Sequence, residues 1–412
     1  MSELAGSLKI LLVTDLYYPP TLGGSAIAMR RLAHGLAARG NQVWVLAPGL
    51  KGLRHYIERD GETVVIRCRS LPDLRLTMRP SKSTVRVPLL PDGILERVLE
   101  RYQPDIVHLQ LPGYAGAIAS RLARKRHIPA IATCHSIPEN YWSPKDKGST
   151  VFRAVQEGIW DVIVALLESC DVICAPSITA CDLLHAQGLS KQAIPISNGV
   201  DLQVYHPVSS EEEKKALKQR FNFPSGVPTI LYAGRFAADK RIDLLLDAIP
   251  QVLARTAAHF GFTGSGNIAI KEELMARGVR DHITITGLLD DQSMPLVYRA
   301  ADLFVLPSEA ELQGLVLLEA AASGLPLVGA NALAIPEIIR HGENGYLHAP
   351  GDHEDLADRL IRLCEEPALR ATMGRASLQL VQQHSIPYSV QQYEEIYREA
   401  ITQAAGTQLS EC

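Results

Sequence analysis

Two glutamates, Glu311 and Glu319, bracket a glycine that opens an apolar run in Pro307-Ser-Glu-Ala-Glu-Leu-Gln-Gly-Leu-Val-Leu-Leu-Glu-Ala-Ala-Ala-Ser-Gly324. The stretch before them, Asp302-Leu-Phe-Val-Leu306, reads as a buried strand. Glu311 therefore falls in a polar turn, and Glu319 lies about one turn inside the helix that starts at Gly314. Between them the first N–H groups of that helix, near Gly314, Leu315 and Val316, lack intrahelical partners and carry partial positive charge. An anionic phosphate flanked by two hydroxyl-binding carboxylates suits this arrangement, and a nucleotide-sugar diphosphate is such a ligand. The competing reading of this segment alone is an ordinary strand-to-helix loop with two solvated glutamates.

Three more loops carry chemistry. Gly23-Gly24 stands between a first strand and a first helix, where backbone without side chains can approach a phosphate and Ser25 can cap the helix. It is not the G-x-G-x-x-G fingerprint, which disfavours a dinucleotide. His135 closes the strand Ile131–Thr133, at the end where parallel α/β folds place ligands, though a lone histidine also serves structure. Gly234-Arg235 and Lys240 follow another strand directly. An arginine fork and a lysine point charge there can neutralise a pyrophosphate, or form a solvated basic loop.

The elements that must position these loops follow from pattern. Lys9–Thr14, Gln42–Leu46, Asp105–Leu109, Pro129–Thr133, Cys170–Cys174 and Ala193–Ile196 read as short apolar strands, with helices over Ser25–Ala38 and Gly116–His127. Strand, helix and strand in this order make βαβ units and parallel sheets. A second series holds Thr229–Ala233, His259–Thr263, His282–Thr286, Leu303–Leu306 and Pro326–Val328. The expected organisation is an N-terminal domain over 1–204, a linker with a short exposed helix over 205–228, and a C-terminal domain over 229–387. A charged helix over 388–412 would pack back toward the first domain. Two doubly wound halves with a cleft between them are the expected architecture.

Composition agrees with a soluble globular protein of 412 residues, 47% apolar and 21% charged. The net charge of -4 argues against a nucleic-acid partner. Residues 1–200 hold 23 Lys/Arg against 17 Asp/Glu, a positive balance that hints at an anionic partner on that side. The seven cysteines form no CxxC pair, so zinc is not expected and reduced thiols in the cytoplasm are. No signal peptide and no membrane span are read, so membranes would be met from the surface.

On these residues the chain resembles the family-four retaining glycosyltransferases, which have the GT-B fold. The likeness is carried by Gly23-Gly24 ahead of LAHGLAARGNQVWVLAP, SNGVDLQVYHP from Ser197, YAGR and DKRIDLLLDAI from Tyr232, and ELQGLVLLEAAASGLPLV from Glu311. Ile335-Pro-Glu337 and Asn344-Gly-Tyr346 continue it, so that it runs from about residue 9 to 350. The resemblance implies two Rossmann-like domains facing a cleft. It implies transfer of a hexose from UDP-glucose or a similar donor to a hydroxyl, with retention of configuration and without metal or cofactor.

It also implies roles. Arg235 and Lys240 hold the donor diphosphate, Glu311 meets the sugar hydroxyls, and Glu319 meets the ribose. Backbone at Gln313, Gly314, Leu315 and Val316 reaches sugar and phosphates. Gly23 and Gly24 lie near the donor, His135 beside the sugar, and Gly287-Leu288 at the base. His135, Glu311, Arg235 and Lys240 are the catalytic candidates. Two departures stand out: Arg241 where the family usually has glycine, and a short, less apolar His259-Phe-Gly-Phe-Thr-Gly-Ser-Gly266.

His135–Pro144, with Asn140, is similar to the subgroup that glycosylates diacylglycerol, including glucosyl and sulfoquinovosyl lipid synthases. Arg121, Arg124, Lys125 and Arg126 would then lie on an anionic leaflet, the inner face of the cytoplasmic membrane, unless they are the solvated face of a sheet-covering helix. A soluble acceptor and an inactive sugar-nucleotide-binding protein are the alternatives. A pyridoxal-dependent phosphorylase of the same architecture is excluded, because no lysine follows Lys271.

Overall fold

A computed structural model describes residues 6–411 apart from 19–22, 52, 73–85, 90, 111–112, 136, 139–149, 267–271 and 274–277. The chain forms two compact units. Among the described residues, the first holds 6–138, 150–199 and the stretch from Ile386 onward, and the second is Val200–Ser385.

The first unit is built on an eight-stranded sheet. In chain order its elements are β1 (Lys9–Val13), α1 (Gly24–Ala38), β2 (Gln42–Pro48), β3 (Tyr56–Asp60), β4 (Thr63–Cys68), β5 (Ser70–Pro72), β6 (Arg86–Pro88) and α2 (Asp92–Tyr102). There follow β7 (Ile106–Leu109), α3 (Tyr114–Lys125), β8 (Ala130–Thr133), α4 (Thr150–Glu168), β9 (Val172–Ala175), α5 (Ile178–Ala186) and β10 (Ala193–Pro195). The order across the sheet is β10-β9-β8-β7-β1-β2-β4-β3, parallel except for the β3–β4 hairpin at the edge. β5 and β6 form a separate ribbon.

Parallel strands covered on both faces need apolar side chains throughout, and Ile10, Leu11, Leu12 and Val13 are all buried. The strand order reverses between the parallel neighbours β1 and β7, which places the loops after these strands side by side. Gln110 continues the ladder, its N–H donating to the Val13 carbonyl at 2.9 Å.

The second unit begins with α6 (Glu211–Arg220) and carries β11 (Thr229–Ala233), α7 (Ile242–Arg255), β12 (His259–Thr263), β13 (Ile283–Gly287), α8 (Ser293–Ala300) and β14 (Leu303–Leu306). It continues with α9 (Leu315–Ala322), β15 (Leu327–Ala330), α10 (Ile335–Ile338), β16 (Gly345–His348), α11 (His353–Glu365) and α12 (Pro367–Leu380). Its six strands run β13-β12-β11-β14-β15-β16, all parallel.

Residues 205–228, expected as a linker, instead fold onto this unit. Lys214 and Lys218, one helical turn apart on α6, both reach Asp302 at 2.6 and 2.7 Å, and Lys218 is buried. Arg299 on α8 pairs with Glu213. The charged run looked solvated because its partners are distant in sequence.

The last helix, α13 (Ile386–Glu411), belongs to the first unit. It lies against α1 so closely that a Cβ on Gly35 would come within 2.5 Å of the Val390 side chain. Arg39 reaches Glu394 at 2.6 Å, and Tyr393 and Tyr397 enter the same core as Leu12, Leu36 and Ile131.

Candidate active site

In an open parallel sheet, ligands bind beyond the carboxyl ends of the strands, where the strand order reverses. In the second unit that point lies between β11 and β14. The loop after β11 carries Gly234, Arg235 and Lys240; the loop after β14 carries Glu309, Glu311 and Gln313. The structure joins the two loops directly: Lys240 Nζ donates to Glu311 Oε1 at 2.6 Å.

Behind this pair stands Asp239, which sequence reasoning quoted in a motif but did not single out. Its side chain is buried, it accepts from Arg235 at 2.8 Å, and its carboxylate lies 3.5 Å from Lys240 Nζ. Asp239 thus holds both cations at the mouth of β11. Arg235 is nearly half-exposed and Lys240 is mostly covered.

The departure at Arg241 has a backbone cause. Its φ and ψ are 48° and 41°, the left-handed region that glycine enters freely and other residues enter at about 1 kcal/mol or more. Arg241 pairs with Glu309 and lies 3.4 Å from Asp243. Glu309 also accepts the Gly351 N–H at 3.0 Å. Consecutive cations, Lys240 and Arg241, thereby hold alternate carboxylates of the β14 loop.

The glycine-rich turn after β12 serves the same loops. Gly264 has φ 139°, and a Cβ there would lie 1.7 Å from the Gly234 carbonyl oxygen. Without side chains the two loops pair, with Phe236 N–H donating to Ser265 at 2.7 Å.

Gly314 opens α9 with φ 79° and no side-chain cap, so the amides of Leu315 and Val316 begin the helix beside Glu311. Gln313 and Glu319 are buried, and the Tyr298 hydroxyl donates to Glu319 Oε2 at 3.0 Å. Glu319 lies on the second turn of α9, with a loop-borne Glu311 before it. Gly287 ends β13 with φ 74°, its carbonyl held by Gly264 N–H at 2.9 Å, and Leu288 beyond it is exposed.

The first unit has its own strand-end cluster. Gly23 precedes α1, which begins at Gly24 without a side-chain cap. Ser25, expected as the cap, falls inside the helix, because the extended residue before the first turn is Gly23. His135 is partly buried and its Nε2 meets Gln110 Oε1 at 2.8 Å. Burial pushes its pKa down to about 4, with the Asn198 carboxamide opposing. Asp15, also missed in the sequence, lies partly buried over Gly113, where any Cβ would meet its Oδ2 at 1.7 Å. Burial raises its carboxyl to about 6, against the lowering effect of hydrogen bonds from the Ala115 and Tyr114 amides that open α3.

The basic helix face is engaged within the unit. Arg121 pairs with Asp92, Arg124 donates to the Ser169 carbonyl at 2.9 Å, and Arg126 lies 3.4 Å from Glu100. Lys125 is exposed. These contacts favour the sheet-covering role for α3. Asn140 lies outside the described residues.

The two units match two family models in turn: residues 22–204 match Glycosyltransferase Family 4 and residues 227–366 match Glycosyl transferases group 1. The chain is a family 4 glycosyltransferase. This glycosyltransferase is 30% identical to a sulfoquinovosyl transferase of Arabidopsis thaliana over 287 residues, covering 68% of the chain and 53% of that protein. It is 26% identical to an alpha-monoglucosyldiacylglycerol synthase of Streptococcus pneumoniae, covering 86% of the chain and 78% of that protein. Among solved structures, Anabaena HepE in complex with UDP-glucose superposes with a TM-score of 0.74 at 19% identity, covering 95% of the chain and 100% of that protein. The fold of the glycosyltransferase is GT-B, two Rossmann-like parallel-sheet units.

Buried histidines make its stability sensitive to acid. His108 and His135 are held neutral by burial, at about 3 and about 4. A folded-state pKa below the unfolded value near 6.5 leaves full stability above pH 6.5 and removes it as pH falls toward 4. Each histidine costs on the order of 3 kcal/mol across that window. Asp15 works the other way, its penalty easing between about 6 and the ordinary carboxylate range. Melting temperatures in buffers from pH 7.5 to 4.5 should fall steadily below pH 6.5; a flat profile would contradict the burial assignment.

Proposed function

We propose that the enzyme transfers a hexose, with retention, from a UDP-sugar such as UDP-glucose to the hydroxyl of a membrane lipid, diacylglycerol in the first instance, without a metal. The observation that carries the donor assignment is the Lys240–Glu311 pair at the reversal point of the second sheet. Breaking the bond between sugar C1 and the diphosphate oxygen puts negative charge on the departing phosphate. Lys240, Arg235 and the first amides of α9 stabilise that charge more in the transition state than in the ground state. The acceptor oxygen then bonds to C1 from the same face, and its proton passes to the departing phosphate oxygen. Glu311 orients the sugar hydroxyls, Glu319 the ribose, and the Gly287-Leu288 turn the base. For the first unit, the proposed roles are those of Gly23 and Gly24 toward the donor and of His135 toward the sugar. The UDP-glucose in HepE and the glucosyldiacylglycerol named for the Streptococcus pneumoniae relative support this reading.

Because the charges are supplied by side chains, activity should survive exhaustive EDTA treatment. Loss with rescue by Mg²⁺ or Mn²⁺ would mean that the charge-stabilising groups are misassigned. The second reading, a soluble acceptor, is favoured by the pairing of Arg121, Arg124 and Arg126 inside the first unit. Sedimentation with anionic liposomes separates the two. On the lipid reading the protein sediments at low salt and is released as salt rises, since each cation near the surface contributes about 1 kcal/mol, screened by salt. A protein that ignores such liposomes and glycosylates soluble acceptors would leave the lipid reading without support.

A further inference from the structure

Six polar side chains of the first unit form one buried chain of contacts that ends on His135. His108, on β7, is gripped from both ring nitrogens: Nδ1 meets the Tyr397 hydroxyl at 2.6 Å and Nε2 meets Thr133 Oγ1 at 2.7 Å. Thr133 Oγ1 in turn lies 3.1 Å from the Tyr393 hydroxyl. Two turns of α13 therefore fix one imidazole. Gln110, two residues along, places its Nε2 at 3.0 Å from each nitrogen of that ring. A position equidistant from both nitrogens cannot lie in the ring plane without overlapping Cε1, so the amide nitrogen stands over the ring face. An N–H donor is favourable there and a carbonyl oxygen is not. This orients the Gln110 carboxamide: its nitrogen faces His108 and its oxygen faces His135 Nε2 at 2.8 Å.

We infer that Gln110 is a positioning residue that holds His135 as the tautomer protonated on Nε2, leaving Nδ1 as the accepting nitrogen of the ring. The inference rests on the reading of His135 as the residue beside the transferred sugar. An oxygen acceptor on Nε2 requires the proton on that nitrogen in a neutral imidazole. The ring is neutral in the folded protein because it is buried. Nδ1 is buried on the side of the Asn198 carboxamide, whose hydrogen bond opposes the effect of burial on the ring's titration. With its one proton committed to Gln110, His135 can present only an accepting nitrogen on its other side. The same logic extends to α13, whose Tyr397 and Tyr393 fix the His108–Thr133 pair on which Gln110 rests. The function of the C-terminal helix is thus partly to set a tautomer.

The test uses the full chain labelled with nitrogen-15 in histidine. Imidazole nitrogen shifts report which nitrogen is protonated, and the His135→Gln spectrum identifies the resonances of His135. The expected result is a proton on Nε2 in the wild type. A proton on Nδ1 would overturn the inference without any variant having to fold. In Gln110→Leu the tautomer should mix and kcat should fall at least about tenfold, while UDP affinity stays unchanged. Gln110→Glu keeps an oxygen acceptor on Nε2 while its charge favours the protonated ring, so the Nε2 proton should persist and His135 should titrate at higher pH than in the wild type, neither of which a merely structural role would produce. His135→Ala separates the two claims. If it is inactive while Gln110→Leu turns over normally, the positioning role fails alone. If His135→Ala itself turns over normally, the reading of His135 fails and the role of Gln110 in turnover fails with it.

Discussion

Lys240→Ala loses at least about 100-fold in turnover, the scale of removing one charge-stabilising contact from a preorganised site. The side chain is mostly covered, lies 2.6 Å from Glu311 and 3.5 Å from Asp239, and sits at the reversal point of the sheet. Its removal does more than delete a cation. It leaves Glu311 and the buried Asp239 facing the diphosphate with only Arg235 to offset them, so donor affinity falls as well. Arg235→Ala should show the same signature at smaller amplitude, because Arg235 is nearly half-exposed and screened by solvent. Steady-state kinetics of donor hydrolysis with calorimetric UDP titrations checks both. Near-normal values in the two variants would remove the diphosphate assignment.

The second large effect is a split between the glutamates. Glu311→Gln should damage sugar transfer more than UDP binding, and Glu319→Gln should weaken UDP binding itself. The structural basis is their placement. Glu311 is on a loop and bonded to Lys240, whereas Glu319 is inside α9 and fixed by the Tyr298 hydroxyl. The Tyr298 hydroxyl helps to fix the orientation of the Glu319 carboxylate. Tyr298→Phe should therefore copy Glu319→Gln in direction, with a loss of roughly tenfold or less in UDP affinity for one hydrogen bond. Equal UDP losses in Glu311→Gln and Glu319→Gln would contradict the division of labour between sugar and ribose.

The parallel strands were legible because strands covered on both faces must be apolar along their whole length. Lys9–Val13, His259–Thr263 and Leu303–Leu306 are the expected segments to within a residue or two. The edge hairpin β3–β4 was not read. Its strand Tyr56–Asp60 mixes charges whose partners, such as Arg67 for Glu58 and Arg30 for Asp60, lie elsewhere in the chain. The same blindness to distant partners turned α6 into a linker, since nothing near Lys214 and Lys218 in sequence announces Asp302.

At the candidate site, type and spacing single out the motif residues as candidates. They do not single out the residues that hold them: Asp239 beneath Arg235 and Lys240, Tyr298 beneath Glu319, and Gln110 beneath His135. Each lies one contact back from the loop that carries the motif. The left-handed backbone at Arg241 was visible only as a missing glycine. Its meaning, that the residue after the lysine must turn sharply while the lysine stays aimed at Glu311, required coordinates.

The measurement that bears most directly on the whole account is product analysis. The enzyme is incubated with UDP-glucose and diacylglycerol vesicles in EDTA, beside parallel reactions with other UDP- and GDP-hexoses and soluble acceptors. The anomeric proton of the product is read by NMR. The account predicts UDP release and an α-linked glycolipid from an α-linked donor, abolished in Lys240→Ala. A β-linked product would contradict retention, and no consumption of any UDP- or GDP-hexose with any acceptor would contradict the transferase mechanism built on Lys240 and Glu311.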